Sequence, residues 1–317
     1  LFELYNKNPR ILFYKKFYYL DSATGTFVNR NHFSGYLEMV IPLALGLIIA
    51  RVDLFSLAGL KWREKILRLS ERGFSTTLLI GLAVILMSLG IIFSKSRSGV
   101  FLLVFTFILF FGLTMIYFGR AKHQKRGISN FLTVVFLIVT FISLFIGIDA
   151  TLERFAMDKL LREERPAVWA NTIGIFRDSP LFGTGLGTFN YLYPAYEESE
   201  QFARYTHAHN DYLEYLAELG IFGFVLILGG ILFLLINSFL VWQVRKHPGV
   251  KGLALGGMIA VICMLIHSIT DFNLQIPANM LLFSVVLSMT IATSFYKRNE
   301  GTNKEKKSGN KEQKAEK

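Results

Sequence analysis

Two histidines, an asparagine and three carboxylates lie close together in the segment THAHNDYLEYLAELGIFG, residues 206–223. An imidazole can accept a proton from a hydroxyl group near neutral pH, so His209 is a candidate for a general base. Asp211, with Glu214 three residues later, forms a pattern typical of a helix start, and an apolar run follows. We therefore expect Asp211 to cap a membrane helix and His209 to lie at its mouth, at the water boundary. The alternative is that both histidines are only polar residues at a membrane interface.

Several arginines could hold a phosphate, because a guanidinium group can bind two phosphate oxygens at once. Arg97 lies in the short connection Ser94-Lys-Ser-Arg-Ser-Gly99, between two apolar runs. Arg162 and Arg165 precede or open a predicted helix, and Arg30 is a weaker candidate near the start of the chain. The alternatives are that Arg97 anchors the chain at the membrane edge and that the other arginines are ordinary surface charges.

The segment 161–178 predicts an amphipathic helix, with Pro166 in its first turn and Asp178-Ser-Pro180 ending it. The residues expected on its apolar side are Trp169, Ile173 and Phe176. The glycines at 183, 185 and 187 match neither nucleotide-binding fingerprint, and we expect them to form a tight turn that packs on the membrane helices. Tyr193 follows this turn and could stack on a sugar ring, although tyrosines are also common at membrane interfaces.

The His-x-His-x-Asp pattern of His207, His209 and Asp211 could also indicate a metal site. Three ligands so close in sequence rarely complete a coordination sphere, and no second ligand cluster is evident in the outer segments. We therefore expect neither a metal nor another cofactor.

The composition indicates a polytopic membrane protein. Of the 317 residues, 52% are hydrophobic and 30 are Phe, and the mean hydropathy is +0.43. Apolar runs near the length of a membrane span occur at 36–51, 74–93, 99–118, 130–149, 217–242, 252–270 and 275–295. The expected fold class is all-α, with about seven transmembrane helices and one large extracytoplasmic loop, 150–216.

The net charge of +11 is explained by membrane orientation, so we do not expect a nucleic-acid partner. Basic residues cluster at 51–72, 120–126 and 245–251 and after Phe295, whereas the connection 268–277 has none. By the positive-inside rule the basic segments are cytoplasmic, and the loop 150–216 and the N-terminus lie outside. This gives an outer segment 1–35, a transmembrane domain 36–295, and a disordered basic cytoplasmic tail 296–317.

The spacing His209-Asn210, nine residues, Gly220, two residues, Gly223 resembles the signature of the O-antigen ligase and polymerase family of membrane glycosyltransferases. The string Ser-Arg-Ser-Gly around Arg97 resembles the essential-arginine motif of that family, and the string PLFGTGLGTF resembles its outer loop. The segments 25–32 and 267–277 extend the resemblance. Because family members generally carry more spans before this region, we expect the chain to be the C-terminal part of a longer protein.

The resemblance implies a metal-independent, inverting glycosyltransferase in the bacterial cytoplasmic (inner) membrane, with its active site facing outward. Its expected partners are a lipid diphosphate-linked glycan donor, a glycan, lipid or protein acceptor, and membrane lipids. We expect His209 and Arg97 to be catalytic. The expected substrate-binding residues are Arg162, Arg165, Arg30, His207, Asn210 and Tyr193. The alternatives are a multi-spanning solute transporter, for example of bicarbonate type, or a scaffold for cell-envelope assembly.

Overall fold

The computed structural model describes residues 10–11, 14–50, 72–117, 130, 133–142, 165–197, 205–245 and 247–295. This part of the chain is almost entirely helical, as expected; a short antiparallel hairpin pairs β1 (Arg10–Ile11) with β2 (Tyr14–Lys15). The helices are α1 (Arg30–Ile49), α2 (Arg72–Ser94), α3 (Arg97–Tyr117), α4 (Thr133–Ile142), α5 (Arg165–Asp178), α6 (Phe189–Leu192), α7 (Asp211–Val244), α8 (Pro248–His267) and α9 (Pro277–Phe295). Single 3₁₀ turns occur at Tyr193–Ala195 and Asn273–Gln275.

Six of these helices are long and apolar enough to cross a membrane, namely α1, α2, α3, α7, α8 and α9. They correspond to six of the seven predicted spans and confirm the class of polytopic, all-helical membrane protein. The remaining predicted span, 130–149, contains the ten-residue helix α4 and is otherwise outside the described residues, so the total of seven stays a prediction. The first span starts earlier than expected, because the side chain of Asn29 caps α1 by accepting a hydrogen bond from the backbone N–H of Asn31.

Helices α1 and α8 pack with their backbones in close approach. A Cβ placed on Gly46 would lie 2.4 Å from the carbonyl oxygen of Gly252, and one placed on Gly256 would lie 2.5 Å from that of Pro42. Small residues at such a crossing let two membrane helices make close van der Waals contact. The packing holds the end of α8 near the start of α1, and thereby brings the polar connection 268–276 beside the residues at 30–32.

The described part of the loop 150–216 folds onto the first turns of α7 and forms a second small core. The buried apolar residues of this core are Val168, Ile175, Phe189, Tyr193, Ala208 and Ala217. The predicted amphipathic helix is present as α5, but its buried positions are Val168, Thr172 and Ile175, one residue before the expected apolar side. Trp169 instead turns toward the cavity described below. The loop segments 150–164 and 198–204 are outside the described residues.

Candidate functional site

The carboxylate of Asp271 lies at the centre of a polar cluster built from four separate segments of the chain. Its oxygens are 3.2 Å from His209 Nδ1, 2.5 Å from Asn31 Nδ2, 3.9 Å from His32 Nε2 and 4.0 Å from Arg165 Nη2. Asp271 is buried in the connection after α8, Asn31 and His32 open α1, and Arg165 opens α5. The cluster therefore depends on the tertiary fold, since the residues come from positions as far apart as 31 and 271.

The charge of Asp271 is stabilised by its neighbours. Burial by itself would raise the pKa of this carboxyl, but the hydrogen bond and charge of His209, with the charges of His32 and Arg165, outweigh burial. The pKa of Asp271 is therefore well below its ordinary value. An ionised Asp271 bonded to His209 Nδ1 favours the tautomer in which Nδ1 carries the proton and Nε2 has the free lone pair.

His209 has an unusual backbone conformation, with φ of 51° in the left-handed region. Residues other than glycine adopt this region at a cost, and such residues are often found at functional sites, where surrounding contacts hold them. Its side chain is 26% exposed, so the imidazole can meet a substrate while Nδ1 remains bonded to Asp271. The prediction that His209 precedes the mouth of a long apolar helix is confirmed by α7.

The predicted cap at Asp211 is wrong by one residue. Asn210 is the N-cap of α7, and its side-chain oxygen accepts a hydrogen bond from the backbone N–H of Leu213 at 3.1 Å. Asp211 is the first helical residue, and its carboxylate accepts a bond from the N–H of Leu274 at 3.0 Å. Asp211 thus ties α7 to the connection that carries Asp271, and Asn210 caps the helix start. Substrate binding by Asn210 stays a prediction.

His207 is placed differently from His209, although the two are only two residues apart. Its Nδ1 is 2.8 Å from Glu214 Oε1, and its ring stacks on Phe272 with centroids 4.2 Å apart. Burial by itself would lower the pKa of His207, but the hydrogen bond and charge of Glu214 raise it above the ordinary value overall. His207 therefore keeps its proton more readily than a free histidine. It is better suited to carry a positive charge than to accept a proton.

A cavity of about 520 Å³ lies beside this cluster and is lined by both Arg97 and Arg165. Arg165 Nη1 donates a hydrogen bond to the backbone oxygen of Thr270 at 2.5 Å, directly before Asp271. Ser98, next to Arg97, bonds the hydroxyl of Thr270 at 2.8 Å. The other lining residues are mainly apolar: Phe101, Leu102, Pro166, Trp169, Ile266 and Ile269. Arg97 and Arg165 are therefore both lining residues of a mostly apolar cavity, beside the cluster that holds His209.

Two other expected site residues, Arg30 and Tyr193, pack against neighbouring side chains. Arg30 donates a hydrogen bond to Ser22 Oγ, and its guanidinium lies over the ring of Tyr19. Tyr193 is only 2% exposed and stacks on Phe189, so its ring has no free face for a sugar. Arg162 lies outside the described residues.

Three residues of the cluster that were not expected as site residues are Asn31, His32 and Asp271. The connection 267–277 did show a usable signal, because polar residues at membrane depth are costly unless they face partners or a cavity. A second buried pair lies on the same side of α1, where Glu38 Oε2 is 2.9 Å from His267 Nδ1 and both side chains are 0% exposed. Within the described ranges no group of three or more His, Cys, Asp or Glu side chains is arranged to hold a metal ion, and metal independence stays a prediction.

The glycine turn of the loop 150–216 packs on the membrane helix α7, as the sequence predicted, and it does so at a kink that was not expected. At Gly220 the helix is interrupted, with φ of 63°. The N–H of Gly185 donates to the Glu218 oxygen at 2.8 Å, and the N–H of Ile221 donates to the Pro180 oxygen at 2.9 Å. Gly220 of the motif therefore has a structural reason. It breaks the helix, and backbone groups of the loop form hydrogen bonds with α7 groups at the break.

We predict that alanine at Gly183 or Gly220 will destabilise the protein more than alanine at Gly187. All three have positive φ, which alone costs about 1–3 kcal/mol for a residue with a Cβ. A Cβ at Gly183 would lie 2.3 Å from the backbone of Glu218 and one at Gly220 would lie 2.4 Å from that of Leu181, whereas the space around Gly187 is open. Thermal unfolding in detergent measures the difference, and equal losses for the three variants would contradict the close packing.

The fold is that of a polytopic, helical membrane protein in which the loop before α7 folds onto a kinked helix. Residues 82–228 match the family described as O-antigen ligase, which supports the resemblance to an O-antigen ligase-like family. A comparison with curated proteins found no match. The family supports a function of O-antigen ligase or polymerase type in a membrane, and its matched region includes Arg97, Arg165 and His209.

Proposed function

We propose that the protein transfers a glycan from a lipid diphosphate carrier to an acceptor at the outer face of the cytoplasmic membrane. The observation that carries this proposal is the shared cavity of Arg97 and Arg165, which adjoins the Asp271–His209 pair. A diphosphate needs positive charge and hydrogen-bond donors, and its lipid needs an apolar surface. The cavity combines both in one place.

The donor's diphosphate lies against Arg97 and Arg165, with Arg162 as a further candidate from the family resemblance. Negative charge grows on the diphosphate as its bond to the sugar breaks, and two guanidinium groups fixed beside it stabilise that charge. Arg165 is held by the backbone oxygen of Thr270 and lies 4.0 Å from Asp271, so its position is set before a donor arrives. Preset charges of this kind need little rearrangement during the reaction.

His209 is the general base in this proposal. Its Nε2 accepts the proton of an acceptor hydroxyl while the oxygen attacks the anomeric carbon of the donor sugar. The bond between that carbon and the diphosphate oxygen breaks, and the diphosphate leaves with the electron pair. Direct displacement inverts the anomeric centre, with no metal, nucleotide or covalent intermediate. Asp271 holds the ring by its Nδ1 and stabilises the imidazolium that forms.

Radiolabelled lipid-linked oligosaccharide, supplied to full-length protein in proteoliposomes, tests the proposal. Release of lipid diphosphate together with labelled acceptor is the expected result. Solute counterflow without transfer would favour the transporter instead. Neither activity, in a protein shown to be folded, would favour an assembly scaffold.

The proposed site must face away from the cytoplasm. We predict that a reporter active only outside the cytoplasm will be active when fused after Tyr196 and inactive when fused after Lys304. The reason is the distribution of Lys and Arg among the connections between spans. The opposite pattern would place Arg97 and His209 in the cytoplasm and remove the proposed mechanism.

A further inference from the structure

The outer loop has an exposed apolar surface around its glycine turn. Residues 179–196 contain no charged side chain, although Asp178 and Glu197 flank them. The large side chains most exposed in this stretch are Leu181 (53%), Phe182 (77%), Leu186 (67%) and Tyr191 (79%). Exposure of several large apolar side chains to water within so short a stretch is unfavourable. Such a cluster is typical of an interaction surface.

The position of this surface along α7 is fixed by hydrogen bonds. The N–H of Ile221 donates to the Pro180 oxygen, and the N–H of Phe222 donates to the Leu181 oxygen at 3.3 Å. The rings of Phe182 and Phe222 are 5.5 Å apart between centroids. The tip of the loop therefore lies level with Phe222.

At the same level, α7 changes from a protein-buried helix to a lipid-facing one. Before the kink at Gly220 its buried residues include Asp211, Glu214 and Glu218. Directly after the kink its exposed side chains are apolar: Phe222 (59%), Val225 (57%) and Leu226 (77%). These residues belong to a helix long and apolar enough to span the membrane, so they face lipid.

We infer that the loop residues 181–191 form a membrane-contact surface that lies in the interface between lipid headgroups and acyl chains. The apolar loop tip is continuous with the lipid-facing side of α7, and aromatic side chains such as Phe182 and Tyr191 suit this region of a bilayer. The contact has a consequence for the site. Helix α5, which starts at Arg165, ends at Asp178, immediately before this surface. Contact of residues 181–191 with the bilayer therefore fixes the depth of α5 and Arg165 relative to the membrane.

Site-directed spin labelling in proteoliposomes tests the contact. The only cysteine, Cys263, is buried with its Sγ 3.3 Å from Thr106 Oγ1, so Cys263→Ser provides a background that keeps this polar contact. Labels are attached at Phe182→Cys and at Leu186→Cys. The matched control is Arg177→Cys, an exposed position at the end of α5 outside the apolar surface.

Molecular oxygen concentrates in lipid and a neutral nickel chelate stays in water, so the ratio of their collision rates with the label reports depth. We expect this ratio to shift toward oxygen at 182 and 186 and toward the nickel chelate at 177. A ratio at 182 and 186 equal to that at 177 would overturn the inference. Labels shielded from both reagents would also overturn it, because a protein partner or a second copy would then cover the surface.

Folding is checked independently of the labels. Each variant should show the same thermal unfolding midpoint in detergent as the Cys263→Ser parent. If the variant at 182 unfolds, Tyr191→Cys on the same surface replaces it. The test does not involve glycan transfer, so its result stands separately from the proposed function.

Discussion

Replacing Arg97 with lysine is expected to reduce glycan transfer nearly as much as replacing it with alanine. Arg97 lines the cavity together with Arg165, where we propose that the donor diphosphate binds. Lysine keeps the positive charge but lacks the planar group that grips two oxygens at once. Loss of a preset group that stabilises developing charge lowers turnover by about 10²–10³-fold. Initial rates with radiolabelled lipid-linked donor, at saturating acceptor, measure the effect.

Lys95 provides the matched control for this substitution. It lies in the same connection between α2 and α3, but its Nζ pairs with Asp21 at 2.8 Å, and it does not line the cavity. Lys95→Ala should leave transfer almost unchanged, since an ion pair of this exposure contributes little. If Arg97→Lys instead restored most of the activity, Arg97 would act as a general positive charge or as an anchor for membrane orientation.

Local patterns in the sequence predicted the helices and several key positions, because those depend on neighbours in the chain. Apolar runs of about 20 residues predicted six spans that the structure contains. The glycine turn was also predictable, since a residue without Cβ is needed where backbone meets backbone, as at Gly183 and Gly220. The family signature that singled out His209 is also a local pattern, because its residues lie within 15 positions of one another, from His209 to Gly223.

The parts of the site that the sequence did not predict come from distant segments. Asp271 is 62 residues from His209 and 240 from Asn31. Packing of α1 on α8 brings Asn31 to Asp271, and the bonds of Asp211 to the connection after α8 bring His209 there. The cap at Asp211 was misplaced by one residue because Asn and Asp are almost equally good caps. In the structure the side chain of Asn210 caps α7, whereas the carboxylate of Asp211 accepts a hydrogen bond from the N–H of Leu274.

Tyr193 illustrates the opposite error, in which a residue type suited to function has a structural role. Interfacial tyrosines and sugar-stacking tyrosines have the same sequence appearance. The phenol oxygen of Tyr193 accepts a hydrogen bond from Asn171 Nδ2 at 3.4 Å, and burial raises its pKa above the ordinary value. Its ring belongs to the core that supports α5, so its substitution would act through folding of the loop.

Replacing His209 is expected to remove the chemical step while leaving donor binding largely intact. As general base, His209 should contribute roughly 10²–10⁴-fold to turnover. Because its φ is 51°, asparagine is the sharpest replacement: it tolerates the left-handed region and lacks an imidazole. His209→Asn, with Gln and Ala beside it, should lower turnover in this range, whereas the dissociation constant of the labelled lipid-linked donor should change little.

His207→Ala is the natural comparison, since the same residue type lies two positions away. Its imidazole is bonded to Glu214 and has a raised pKa, so it is poorly suited to accept a proton, and its loss should be milder. Asp271→Asn should slow turnover as well, because an amide neither fixes the Nδ1–H tautomer nor stabilises an imidazolium as a carboxylate does. Full activity in His209→Asn and His209→Gln would exclude the general base and leave only the electrostatic action of Arg97 and Arg165.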